Sequence, residues 1–168
     1  MLDLQLESGK IIALQGDLAT VSTLLISMAV KLQERSKVLY IDSAHTFNPG
    51  FVHAKYHKSP QISLNKIMIS RPFSPEQLLT VIKKTGQAIR ETRAKSVIIS
   101  ALDRLFYDQE TDEKDRMFLF SQVLDELGIV AWRHNAVVLV GLSSRIEEPS
   151  SSGLKQALAE RLDVCCKV

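Results

Sequence analysis

The chain is poor in cysteine, with only two, and these are adjacent (Cys165 and Cys166). That spacing suits neither a metal centre nor an internal disulfide, which excludes a disulfide-built scaffold. It also lacks a charge of one sign: 21 Lys and Arg against 19 Asp and Glu leave +2, far from a polycation that condenses nucleic acid. No apolar run approaches the ~20 residues a membrane-spanning helix needs. The opening MLDLQLESGK lacks the basic-then-apolar layout of a secretory signal. There is no internal repeat, and the only low-complexity patch, Glu147 to Gly153, is expected to be a mobile loop. What remains is 168 residues, 45% hydrophobic and 24% charged, enough to bury a single core without staples. The expectation is a soluble intracellular protein of one domain, cytoplasmic, or nuclear if eukaryotic.

Strands and helices alternate along the chain. Gly9 and Lys10 separate a short opening strand from the run Ile11 to Gln15. A polar loop from Gly16 then leads to a helix carrying Leu25, Met28, Ala29 and Leu32 at spacings of three and four. Val38 to Ile41, ending at Asp42, has the continuous apolar character of a buried parallel strand. Ala44 to Asn65 is weakly periodic and reads as loop plus a short helix. Lys66 to Ser70 is a strand, and Ser74-Pro75-Glu76-Gln77 opens a helix with a capping serine, proline at the first position and glutamine at the third. That helix carries Leu78, Ile82 and Ile89 to about Thr92. Ser96 to Ile99 and Ala136 to Val140 are further strands, and Asp163 to Val168 closes the sheet. Between them Lys114 to His134 places Met117, Phe120, Leu124, Leu127 and Ala131 on one helix face. This alternation predicts an α/β fold, a mostly parallel sheet with helices on both faces.

In such a sheet the loops at the carboxyl ends of the strands build the site. The segment Gly16 to Thr23 has the length and position of a phosphate-binding Walker A loop, which needs two glycines, a lysine and a hydroxyl. Gly16 supplies the first glycine and Thr23 the hydroxyl. Val21 stands at the second glycine and Ser22 at the lysine, while Asp17 adds a negative charge where an anion would sit. A branched side chain at Val21 also disfavours the positive φ and close backbone approach a phosphate requires.

Three further segments accompany this one. Val38-Leu39-Tyr40-Ile41-Asp42-Ser43-Ala44-His45-Thr46-Phe47-Asn48-Pro49 resembles the second core strand of the RecA/RadA recombinases, keeping Ile41, Asp42, Thr46, Phe47 and Pro49 in register. Val97 to Phe106 resembles their Walker B segment, and Asn135 to Val140 the strand bearing their sensor residue. The order and separation of the four segments agree with the family's ATPase core from about Gly9 to Val168. The resemblance implies a single RecA-like, P-loop NTPase fold without the family's separate N-terminal DNA-binding domain.

The departures carry as much information as the matches. The family's Walker lysine is replaced by Ser22, its water-activating glutamate falls at Ala44, and its Walker B aspartate falls at Ser100. The sensor segment reads Val140-Gly141-Leu142-Ser143 in place of an Asn-Gln pair. Phosphoryl transfer rests on the charge and positioning those groups supply. Asp103 is no substitute, since three extended residues displace it by ~10 Å. Gly16, Ser22 and Thr23 are thus read as a vestigial phosphate loop, with no catalytic residue, no metal, no cofactor expected, and ATP binding disfavoured.

His53 and His57, four apart, lack a third ligand and read as exposed side chains. One of the two cysteines should face the core. Phe51-Val52-His53-Ala54 matches the Phe-x-x-Ala signature by which recombinases dock on a neighbour, but inside the domain it reads as coincidence. The resemblance does imply an apolar pocket that receives such a segment from a partner. The counterparts of the family's DNA-binding loops, Tyr107 to Lys114 and Ser143 to Gly153, are acidic or mixed, so DNA binding is expected to be weak or indirect. The basic group Lys83, Lys84, Arg90, Arg93 and Lys95 reads as a solvated face. The resulting expectation is a pseudo-ATPase of the recombinase-paralogue type, an adaptor or regulator of recombination and repair whose partner is a RecA/RadA-type recombinase or its Phe-x-x-Ala segment. The competing readings are an inactive scaffold subunit of an Elongator-like or KaiC-like assembly, and an ATPase with an unconventional site using Thr23, Asp42 and Asp103.

Overall fold

The computed structural model describes residues 6–59, 61–107 and 112–168. The elements run β1 (Ile11–Gly16), α1 (Leu18–Leu32), β2 (Val38–Asp42), α2 (Pro49–Tyr56), β3 (Ile67–Ser70), α3 (Pro75–Thr92), β4 (Ser96–Ser100), α4 (Glu113–His134), β5 (Val137–Ser143), α5 (Ser152–Ala159) and β6 (Val164–Lys167). Short 3-10 turns lie at Leu64–Lys66, Arg104–Phe106, Ser144–Glu147 and Pro149–Ser151.

The strands form one six-stranded sheet in the order β3-β2-β4-β5-β1-β6, and every pairing is parallel. A parallel sheet covered on both faces buries both sides of its strands, and β2 and β4 are buried at all five positions. Alternation then sorts the side chains. Ile11, Ala13, Val97 and Ile99 face the layer of α3, α4 and α5, whereas Ile12, Leu14 and Ile98 face α1 and α2. The α/β sheet with helices on both faces is as the alternation predicts.

Local signals act as expected at α3. The Ser74 hydroxyl accepts from the Gln77 N–H at 3.3 Å, and the Gln77 side chain reaches back to the Phe73 N–H at 2.9 Å. Helix α4 starts one residue before the predicted Lys114 because Asp112 caps it. Cys165 is exposed while Cys166 packs beside the core, so one of the pair faces inward.

Three expectations are corrected. The opening strand falls largely on residues 1–5, outside the described residues, and Leu6 and Glu7 are not strand. No polar loop follows Gly16, because α1 begins two residues later. The segment Glu147 to Gly153 is not a loop but 3-10 turns leading into α5. It is pinned where its polar composition hides it: Ile146, Ser151 and Leu154 are buried, and the Ser151 hydroxyl donates to the Arg145 carbonyl at 2.9 Å. Glu147 binds Gln15 at 2.8 Å, Lys167 at 2.8 Å, and Lys155, tying β1, β6 and α5 together. Those partners hold its carboxyl down at about 2, Lys155 contributing most. No helix among the described residues is long and apolar enough to cross a membrane.

Candidate functional site

The carboxyl ends of the strands carry the groups the sequence singles out. At the end of β1, Gly16 lies under the chain's other end. A methyl group there would collide with the Val168 carbonyl, and the Val168 N–H donates to the Gln15 carbonyl at 2.8 Å. Asp17 is the entire connection to α1. Its backbone is extended and its carboxylate accepts from the Thr20 N–H at 3.0 Å, the standard use of an aspartate at a helix N-cap. Hydrogen bonding to Thr20 keeps this carboxyl below its ordinary value. Free N–H groups at a helix start attract anions, and here the chain's own carboxylate answers them.

Gly16, Ser22 and Thr23 therefore do not share a loop. Gly16 ends β1, while Ser22 and Thr23 lie in the second turn of α1 with their backbone groups inside the helix. Ser22 is buried at 5% exposure and its hydroxyl accepts from Thr46 at 3.1 Å, whereas Thr23 is exposed. Val21 packs on the sheet, beside Leu25 and against Gly141 in β5. A methyl on Gly141 would come within 2.9 Å of Val21 and 3.0 Å of the Ala101 nitrogen, so α1 sits hard on the strands.

Asp42, at the end of β2, is fully buried and accepts four hydrogen bonds. Its Oδ1 takes the Thr46 N–H and the Ser100 hydroxyl, both at 3.0 Å. Its Oδ2 takes the Phe47 N–H at 3.0 Å and Arg71 Nε at 3.2 Å. Ser100 in turn accepts from the Ala44 N–H at 3.1 Å, and Arg104 donates to the Ala44 carbonyl at 3.0 Å. The positions at which the resemblance puts the catalytic glutamate and the metal-binding aspartate are thus linked directly to each other.

Asp103 forms a second such centre. The chain turns sharply at Ala101, which sits at φ 43°, so the residues after β4 do not extend as the ~10 Å displacement assumes. Asp103 instead folds back, fully buried, against the end of β5. It accepts the Ser143 N–H at 3.0 Å, the Ser143 hydroxyl at 2.6 Å and the Tyr107 hydroxyl at 2.5 Å. Burial, with the Asp103 charge beside it, raises the Tyr107 phenol. Sequence reasoning missed this triad and the role of Arg71. The available signal was the pairing of a buried acid with hydroxyls on the neighbouring strand end.

Two cavities open elsewhere. One of about 200 Å³ lies among Tyr107, Met117, Arg145 and Leu154, where the Arg145 guanidinium stacks 4.2 Å above the Tyr107 ring. The other, about 310 Å³, runs between the end of β3 and α3, past Arg71, Pro72, Gln77 and Val81. Neither is lined by Gly16, Ser22 or Thr23. His53 and His57 lie with ring centroids 6.3 Å apart on exposed turns of α2, and no group of three metal-ligating side chains occurs among the described residues. The Phe51–Ala54 motif is helical, with Val52 buried against the sheet. The basic group on and after α3 is exposed throughout. Of the first DNA-loop counterpart, residues 108–111 lie outside the described residues.

At the strand ends the Asp17, Asp42, Ser100 and Asp103 side chains are engaged internally, while the buried Ser43 hydroxyl beside Asp42 has no hydrogen-bond partner. Residues 7–158 match the Rad51 family model, a RecA-like recombinase domain. No curated protein matches the chain. With the family match spanning nearly all of the parallel sheet and its covering helices, the chain belongs to the Rad51 family and is a recombinase-like protein.

Proposed function

We propose that this chain is a non-catalytic member of its family, an adaptor or regulator of DNA recombination and repair that acts through protein contacts. The observation that carries the reading is the internal engagement of the strand-end carboxylates. Asp17 caps the helix a phosphate would approach, Asp42 accepts four donors, and Asp103 accepts three. A carboxylate that ligates Mg²⁺ must present free lone pairs, and N–H and O–H groups take all four acceptor sites of Asp42 and three of the four of Asp103. The same bonds argue against an unconventional ATPase built on Thr23, Asp42 and Asp103. Titration of a fluorescent ATP analogue with and without Mg²⁺ tests this. No saturable, Mg²⁺-dependent binding is expected, and its appearance would overturn the reading.

The proposed partner is a recombinase of the same family, received through a Phe-x-x-Ala segment. What supports an acceptor here is the edge strand β3, paired only with β2. An extended peptide can add to such an edge and place apolar side chains beside it. Met68 and Ile69 on β3 are exposed, and Phe73 just beyond it is 73% exposed, next to the 310 Å³ cavity. A synthetic Phe-x-x-Ala peptide and a purified recombinase core should both bind, and Met68→Glu should abolish binding of both. Binding of neither would move the protein to the scaffold reading.

A further inference from the structure

The outward face of α4 carries three exposed large apolar side chains without an intramolecular reason. Phe118 is 67% exposed, Ile129 41% and Trp132 76%, although the chain has only one tryptophan. At about 3.6 residues per turn, Phe118, Asp125, Ile129 and Trp132 fall within about 60° of one another. They lie opposite the buried row of Phe120, Val123, Leu127 and Val130. The stripe runs about 21 Å along the helix. Ser121, Gln122 and Asp125 separate Phe118 from Ile129 and Trp132, so the stripe has two apolar ends about a polar centre, and a large aromatic left in water is the residue type that anchors interfaces.

Gly128 is the second observation. It sits inside the 22-residue helix, where glycine costs about 1 kcal/mol against alanine. A Cβ there would meet nothing within 4 Å, so no internal packing requires the glycine. It flanks the stripe one turn before Trp132, where it would let another backbone come close.

We infer that this stripe joins two copies of the chain, with α4 packed antiparallel on α4 about a two-fold axis at Asp125. A two-fold interface must be self-complementary, residue i meeting j as j meets i. About Asp125 the stripe meets that condition: Phe118 lies opposite Trp132 of the second copy, Ser121 opposite Ile129, and Gln122 opposite Gly128. Large faces small at the last two pairs. The charges fit as well. The two Asp125 carboxylates meet at the axis, each held by Arg161 at 2.7 Å, a guanidinium that also pairs with Glu160 at 3.2 Å. On one rim, exposed Asp115 lies within a turn of exposed Arg133 of the second copy, and symmetry makes that pair twice. The contact leaves β3 and its edge untouched, so it is independent of the proposed recombinase contact.

The test is sedimentation equilibrium of the full chain, with Trp132 emission as an intrinsic reporter. A monomer–dimer equilibrium is expected, with emission moving to shorter wavelength as the dimer forms. Trp132→Glu should leave a monomer. Asp115→Arg should weaken dimerisation about tenfold, because two rim pairs turn repulsive. Adding Arg133→Asp should restore it. Both rim residues are exposed, so these variants keep the fold if Trp132→Glu does not, and the charge-swap series then decides. A chain that stays monomeric with unshifted emission at all concentrations overturns the inference. So does a dimer indifferent to both substitutions, or a stripe that binds only a different protein.

Discussion

The carboxyl edge of the sheet and the outer surfaces of β3 and α4 treat their side chains in opposite ways. At the carboxyl edge, polar groups are buried and mostly matched: Asp42 takes the Ser100 hydroxyl and Asp103 the Ser143 hydroxyl, while the Ser43 hydroxyl is buried without a partner. At β3 and α4, Met68, Phe73, Phe118 and Trp132 are exposed to water, Phe73 beside the His45 ring with 4.5 Å between centroids. A site that handles a small charged ligand keeps unmet polar groups, while a surface that handles a protein keeps unmet apolar ones. Here the large unmet groups are apolar, and the unmatched buried polar group at the strand ends is an uncharged hydroxyl, that of Ser43. On the adaptor reading we propose, the protein contacts lie at those surfaces.

The contrast is most directly broken at Asp42. Asp42→Ala strips four donors of their acceptor, one of them the Arg71 guanidinium, and should cost ~3–5 kcal/mol in urea unfolding. A loss under 1 kcal/mol would mean the network is ornamental. Ser22→Lys tests the other side by returning a lysine to the segment. With Ser22 buried against Thr46, we expect a cost of ~2–3 kcal/mol and no Mg²⁺-dependent ATP binding. A gain of ATP binding would show that only the lysine is missing. Smaller still, Asp17→Ala removes the α1 cap and should cost ~1 kcal/mol, with Asp17→Asn near wild type in the same assay.

The subtlest test is a pH dependence. The folded Glu147 carboxyl lies at about 2 against an ordinary 4.5, so its contribution to stability is present above the ordinary value and fades as pH falls between the two. The melting-temperature difference between wild type and Glu147→Gln should therefore shrink on acidification from pH 5 towards pH 2. A difference that stays constant would show that the Lys155 and Lys167 contacts do not hold in solution.

Much of this architecture was legible in the sequence because burial on both faces leaves an unambiguous trace. Val38 to Ile41 and Ser96 to Ile99 could only be buried strands, and Ser74-Pro75-Gln77 could only open a helix. The segments that misled are those in which one composition serves two structures. Glu147 to Gly153 has the polar residues of a loop, yet Ile146 before it and Leu154, Ala157 and Leu158 beyond suffice to seat a helix. Gly16 to Thr23 has the length of a phosphate loop. The competing signal was Asp17 ahead of Leu18, Val21 and Leu25, an N-cap before an apolar periodic run. The hydrogen bonds of Asp42 and Asp103 were not legible at all. They join residues of different strands, and only the sheet order makes them neighbours.

That order also governs how the chain is assembled. Strand β1 lies between β5 and β6, with Ile11 opposite Val138 and Ile12 opposite Val164. A nascent chain therefore makes β1 well before either of its partners and must hold this apolar strand unpaired while β2, β3 and β4 are synthesised. Sheets whose neighbours are this distant in sequence fold slowly and expose sticky intermediates meanwhile. The polypeptide should thus depend on chaperones during biogenesis well beyond what its ordinary composition suggests.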